Sequence, residues 1–388
     1  MSESLLESRW DETKGTLLEG LEGNRRSAMD ICLENTKTYL KEAATAGSTT
    51  AGNVATLNRV ILPVIRRVMP TVIANEIIGV QPMQGPVSQI HTLRLRYADN
   101  ATSTAASPFD TDVTAGDEAL SPFKIATAYS GSLTTGRADA TATLEGQAGR
   151  RMSVQIMKQP VEAKSRKLSA RWTFESAQDA NAMHGIDVEA EIMAALAQEI
   201  TTEIDQEILG SLRSLAATEE TFNQASLSGT PTYVGDEHAA LAILMNRVGN
   251  AIAQRTRRGA ANWAVISTAV LTVLQSATTS AFARTTEGTF EAPTNTKFVG
   301  TLNSAMKVYV DSYAPDTQAI LVGFKGTSEA DAAAFYCPYI PLMSSGVVLD
   351  PATFEPVVSF MTRYGYVELT NTASSLGNAG DYLGEIAV

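Results

Sequence analysis

Between Val188 and Ile208 six aliphatic residues stand four apart: Val188, Ile192, Leu196, Ile200, Ile204 and Ile208. On a 3.6-residue helix each step of four advances the stripe by about 40°, so five steps turn the buried face by about 200°. A helix over 188–209, roughly 33 Å long at 1.5 Å per residue, must therefore change neighbours along its length. It reads as a spine that several elements pack around, not as one member of a bundle. Asp187, Glu189 and Glu191 crowd its start, where the helix dipole favours carboxylates, and Gly210 and Arg213 mark its expected end.

The other segments alternate in character. Leu5, Leu6 and Trp10, then Leu17, Leu18 and Leu21, recur at helical spacing between charges, and the small polar run 46–52 after them reads as a linker. A helical stripe follows from Leu57 to Val68, interrupted by Pro63 and Pro70. Ile90 to Tyr97 has strand character and carries Arg94 and Arg96. Residues 98–149 are rich in Ala, Thr, Ser, Gly and Asp, the composition of an extended loop or hairpin rather than of a core. The stretch 91–170 is thus expected to leave and rejoin one body. Past the spine, Leu241 to Ile252 predicts a helix, Trp263–Ile266 a strand, Val270–Leu274 a helix, and Lys307–Val310 and Ala319–Phe324 two strands. Phe335–Leu342 and Val357–Leu369 read as two further strands that chain order alone assigns to no unit.

Several function classes drop out. No apolar run approaches the roughly 18 to 20 residues that span a bilayer, and a start holding Glu3, Glu7 and Arg9 is unlike a signal peptide. Two cysteines, Cys32 and Cys337, build neither a disulfide framework nor a thiolate zinc site, which points to folding in a reducing cytoplasm. The sequence has no phosphate-binding loop, no dinucleotide fingerprint, no HExxH, no GxSxG and no CxxC, so no cofactor or metal is expected. His91, His184 and His238 stand in unrelated settings and read as packing or capping residues. Glu203, Asp205 and Glu207 resemble a paired-carboxylate or metal site, but residues two apart on a helix point about 200° apart, so they are expected not to converge on one ligand. Arg255, Arg257 and Arg258 could touch DNA or an acidic neighbour, and a solvated loop is the plainer reading.

Charge is distributed in blocks. The formal balance is −12, a poor design for wrapping phosphate backbones. Within it, residues 150–171 carry seven basic side chains against the single acid Glu162, while 172–215 carry nine acidic ones against Arg213. Adjacent blocks of opposite sign point to faces that lie against one another, within a subunit or between subunits.

These parts, a hinged arm, a long excursion, an acidic spine and an α/β unit, suit a protein that contacts many copies of itself. Particular residues sharpen this. The run Val161-Glu162-Ala163-Lys164-Ser165-Arg166-Lys167-Leu168, with Ala177-Gln178-Asp179 and His184-Gly185-Ile186-Asp187, resembles the stretch before the spine helix in major capsid proteins of T4-like tailed bacteriophages. Ile78-Gly79-Val80-Gln81-Pro82-Met83 with Gly85-Pro86, then Phe335-Tyr336-Cys337-Pro338-Tyr339, then Thr362-Arg363-Tyr364-Gly365, resemble the same family in the same order.

The resemblance implies an α+β chain of the HK97-like capsid fold. Its parts would be an N-terminal arm over 1–53, a first part of the peripheral domain over 54–90, an extended loop (E-loop) over 91–160, the peripheral domain with its spine helix over 161–231, an axial domain over 232–330, and returning strands and C-terminus over 331–388. Too few residues separate Tyr97 from Val161 for the complete insertion domain that the T4-like family carries there. The implied partners are identical copies, in hexamers and pentamers of an icosahedral shell, with portal, scaffold, prohead protease and decoration proteins around them. The shell would enclose DNA without sequence-specific binding, be assembled in the host cytoplasm and involve no membrane. Leu40-Lys41-Glu42 fits the family's processing pattern, with a cut after Glu42, and the arm would pack on a neighbour or act as a scaffold before maturation. Arg150, Arg151, Lys158, Lys164, Arg166, Lys167 and Arg171 are expected to rest on acidic surface of a neighbouring subunit, including Glu199, Glu203 and Glu207 of its spine. A soluble α+β hydrolase with a scattered acidic site and an encapsulin-like cellular compartment are the alternatives.

Overall fold

The computed structural model describes residues 72–100, 113–117, 149–184, 187–222, 234–276, 297–303, 305–350, 355–370 and 378–388, with shorter stretches at 26–35, 140–145 and 282–284 and isolated positions between. In chain order the strands are β1 (Gly79–Val80), β2 (Val87–Tyr97), β3 (Met152–Glu162), β4 (Lys164–Arg171), β5 (Thr218–Thr221), β6 (Trp263–Ile266), β7 (Phe282–Arg284), β8 (Lys297–Leu302), β9 (Met306–Val310), β10 (Ile320–Gly323), β11 (Ala334–Ser344), β12 (Val348–Leu349), β13 (Pro356–Glu368) and β14 (Leu383–Ala387). They form three sheets: β1-β11-β13-β12 with β4 also on β13, the seven-stranded β5-β14-β10-β6-β9-β8-β7, and the separate hairpin β2-β3.

The spine helix runs Val188–Leu215, with the Asp187 carboxylate as its N-cap accepting from the Glu189 and Ala190 amides. The expected end at Gly210 is corrected. Gly210 is exposed and sits mid-helix, and the helix continues because the extra turn buries Leu212, which is worth more than the roughly 1 kcal/mol that an interior glycine costs. Leu196, Ile200, Ile204 and Ile208 are buried as the four-residue spacing requires. The turning stripe lets the helix touch β4 and β13 of one sheet and β14 of the other.

The two strands that chain order left unassigned, β11 and β13, are the long antiparallel pair of the five-stranded sheet. β1 adds to β11 in parallel, and Gly79 is required there because a Cβ would collide with the Glu329 carbonyl and the Phe335 ring. In the seven-stranded sheet, β6 is buried along all four residues and pairs in parallel with β9, as an apolar run inside a covered sheet should. The Val234–Thr256 helix covers it with Leu241, Met245, Val248 and Ile252.

One expectation changes. The region 98–149 is not only loop, because Tyr97, Val113, Ala119 and Tyr129 form a satellite core, with the two tyrosine rings 4.5 Å apart. The described part of the arm packs on its own chain. Residues 26–35 are helical, Ala28, Met29, Cys32 and Leu33 are buried, and Asn35 Nδ2 donates to the carbonyls of Met83 (2.7 Å) and Tyr339 (2.9 Å). Lys14 pairs with Asp30 and Glu34 at 2.6 and 2.7 Å. The linker at 46–52 and the stripe from Leu57 to Val68 lie outside the described residues.

Candidate subunit interface

The basic stretch folds as β4, a strand that sequence reading missed because its alternation is written in charges. Its outward face carries Lys167 and Arg171, while Arg166, Leu168 and Ala170 on the other face are half-buried and Lys164, at the start of that face, is exposed. Antiparallel pairing sets Arg166 opposite Thr362 and Lys164 opposite Tyr364 on β13, beside the spine helix. Arg166 Nε donates to Tyr364 Oη at 2.7 Å, and its two terminal nitrogens donate to Glu203 and Glu207, each at 2.5 Å. Tyr364 also donates to Glu207. Within the single chain, Arg166, Glu203 and Glu207 are thus engaged with one another. They meet because Glu203 and Glu207, four apart, share a helix face, whereas Asp205 points into the core.

The electrostatics follow from this clamp. Burial would raise the Glu207 carboxyl, but the Arg166 and Tyr364 bonds outweigh it and hold it below the usual carboxylate range. Burial, reinforced by Glu207, pushes the Tyr364 hydroxyl up to about 12.

The remaining predicted residues are scattered. Arg150 lies over the Tyr129 ring, 5.7 Å from its centre, and Arg151 pairs with Asp99 at 3.3 Å. The Tyr129 hydroxyl donates to the Arg151 carbonyl and accepts from the Asp99 amide at 3.1 Å, so this group locks the point where the excursion rejoins the hairpin. Lys158 is exposed on β3 opposite His91, Arg171 lies 3.8 Å from Glu355, and Glu199 is exposed on the spine. Glu42 lies outside the described residues. The arginines at the end of the Val234–Thr256 helix and just past it are not simply solvated, because Arg255 pairs with Glu219, and Arg258 with Asp331 at 2.5 Å.

The hairpin carries the feature that sequence reading did not single out. Its pattern is inverted: Arg94 and Arg96 are buried, and Arg96 donates to the Gly116 carbonyl at 2.8 Å, while the apolar residues face outward. Register places Leu93 opposite Ile156 and Leu95 opposite Val154, so the four share one face. Leu93 is 68%, Val154 61% and Ile156 62% exposed, and Met152 extends the patch. These side chains form one contiguous exposed apolar face, a candidate contact surface. The described residues hold no cluster of three His, Cys, Asp or Glu placed to bind a metal ion, and no helix among them is long and apolar enough to cross a membrane.

Comparison with known proteins decides the family. The family described as major capsid protein Gp23 matches residues 54–388. The chain belongs to the Gp23 major capsid protein family. Among its relatives, the major capsid protein of Vibrio phage KVP40 is 31% identical over 418 residues, covering 86% of this chain and 81% of the relative. That of Enterobacteria phage T4 is 29% identical over 404 residues, covering 82% and 77%. Among solved structures, the capsid of Myoviridae phage XM1 aligns over 80% of this chain and 89% of its own at 12% identity, with a TM-score of 0.44. The assignment rests on the sequence family.

Proposed function

We propose that this major capsid protein of a tailed bacteriophage is the tile of an icosahedral head, its copies assembling into hexamers and pentamers that enclose double-stranded DNA. The observation that carries this reading is the outward platform of Leu93, Leu95, Val154 and Ile156. A face of that kind is costly in water, and a neighbouring copy that covers it turns the cost into association energy. The two strands that carry it form a sheet of their own, hydrogen-bonded along a ladder to neither larger sheet.

Charge complements the apolar contact. With Arg166, Glu203 and Glu207 engaged internally, the exposed Lys158, Lys164 and Lys167 are the basic groups assigned to contacts between copies, and exposed Glu199 is an acidic counterpart. Each such pair is worth about 0 to 1 kcal/mol, so the charges set register more than strength. The −12 balance suits a wall that encloses DNA without gripping it. Portal, scaffold, prohead protease cutting after Glu42, and decoration proteins complete the proposed partners, with assembly in the host cytoplasm.

Electron microscopy of the purified protein over a range of concentrations tests the reading. Closed shells, hexamers or pentamers are the expected result. A species that stays monomeric or dimeric under every assembly condition would overturn it.

A further inference from the structure

At the junction of the two large sheets the spine helix holds a buried polar cluster that assembly does not explain. Asp205 is 1% exposed, its Oδ1 accepts from the Ile73 amide at 2.9 Å just ahead of β1, and its Oδ2 meets no donor. One residue along, Gln206 Nε2 donates at 2.8 Å to Oδ1 of fully buried Asp311, which follows β9 and also accepts from the Tyr313 amide at 3.0 Å. Arg213 Nη1 stands 3.5 Å from Asp311 Oδ2, and its Nε and Nη2 have no partner. The spine therefore ties the segment feeding the five-stranded sheet to a strand end of the seven-stranded one through two carboxyls and one guanidinium.

We propose that this junction is proton-linked, with Asp205 carrying a proton that is lost as the solution becomes alkaline. Two buried carboxylates against one arginine leave an uncompensated negative charge in a low-dielectric place, and one proton removes it. Burial first, and then the Asp311 charge, raise the Asp205 carboxyl to about 7, with the Ile73 amide pulling the other way. Several titratable groups lie near Asp205. Tyr336 of β11 is held protonated by its burial. Glu385 of β14 is raised by burial against the pull of Arg213. Glu76 is engaged by Lys307 and Tyr309, and Glu207 by Arg166.

The sign is fixed by linkage. The folded chain takes up a proton between the ordinary Asp value of about 4 and the folded value. Stability from this site therefore falls as pH rises through that window and levels off above about 7.

The test is the thermal midpoint of the full chain from pH 5 to 8.5 for the parent and for Asp205→Asn, which keeps an oxygen for the Ile73 amide. The midpoint of Asp205→Asn minus that of the parent should grow from pH 5 to 7 and then stay flat, and a difference constant over the range overturns the proposal. Asp311→Asn, which removes the neighbouring charge, should move the transition to lower pH, and an unmoved transition also counts against it. Should neither variant fold, infrared spectroscopy of the parent serves. A buried protonated carboxyl band at pH 6 that vanishes above pH 8 supports the assignment, and its absence at pH 6 refutes it. All of these read the single chain and are independent of assembly.

Discussion

Replacing Leu93 and Ile156 together by Thr strips the centre of the hairpin platform while keeping side chains that favour strands. Full burial of a Leu or Ile side chain is worth about 1.5–3 kcal/mol. With 68% and 62% of these residues uncovered in the single chain, a neighbour that covers them gains about 1–2 kcal/mol from each, or about 2–4 kcal/mol for the pair. At about 1.4 kcal/mol per factor of ten, the double variant weakens each contact roughly 30- to 700-fold. Because both side chains already face water, folding stability should change by less than about 0.5 kcal/mol. Sedimentation velocity across a concentration series reads the assembly threshold, and thermal unfolding checks the fold. A threshold that rises steeply with an unchanged midpoint is expected. An unchanged threshold would show that the platform is not a contact between copies.

Other consequences are more local. Arg166→Leu should destabilise the fold by about 1–2 kcal/mol, the value of charged hydrogen bonds discounted for partial exposure. Since Glu207 is held below its ordinary value, that stabilisation is present above the unfolded value and is lost as pH falls through the folded one, so the difference in thermal midpoint between parent and variant should begin to shrink once pH drops below the ordinary Glu value of about 4.3. Gly79→Ala forces a Cβ into the Glu329 carbonyl and should cost about 1–3 kcal/mol in urea unfolding. Reversing Lys158, Lys164 and Lys167 to Glu should lower shell yield and flatten its dependence on salt, and an unchanged salt response would remove these charges from the contact.

The spine was legible because its four-residue stripe is both long and apolar, and the strands Trp263–Ile266 and Phe335–Leu342 because their cores are apolar on both faces. The strand Lys164–Arg171 was not, because its outward positions carry charge and only Leu168 and Ala170 signal the inner face. Its place beside the spine, and with it the pairing of Arg166 with Glu203 and Glu207, depends on register against Pro356–Glu368, which lies far along the chain. The argument that carboxylates two apart diverge held in part of the trio: Glu203 and Glu207 share a guanidinium while Asp205 turns inward to the Ile73 amide. The inverted hairpin gave no local signal at all. Arg94 and Arg96 alternate with Leu93 and Leu95 either way up, and only contacts made across the fold, such as Arg96 with the Gly116 carbonyl, select which face is covered.

The most direct measurement is a cryo-electron microscopy map of the assembled particle at side-chain resolution. The account predicts a closed shell in which Leu93, Val154 and Ile156 of each copy lie against the next one, with Arg166 still holding Glu203 and Glu207 of its own chain. A shell whose hairpin platform faces solvent throughout would contradict it.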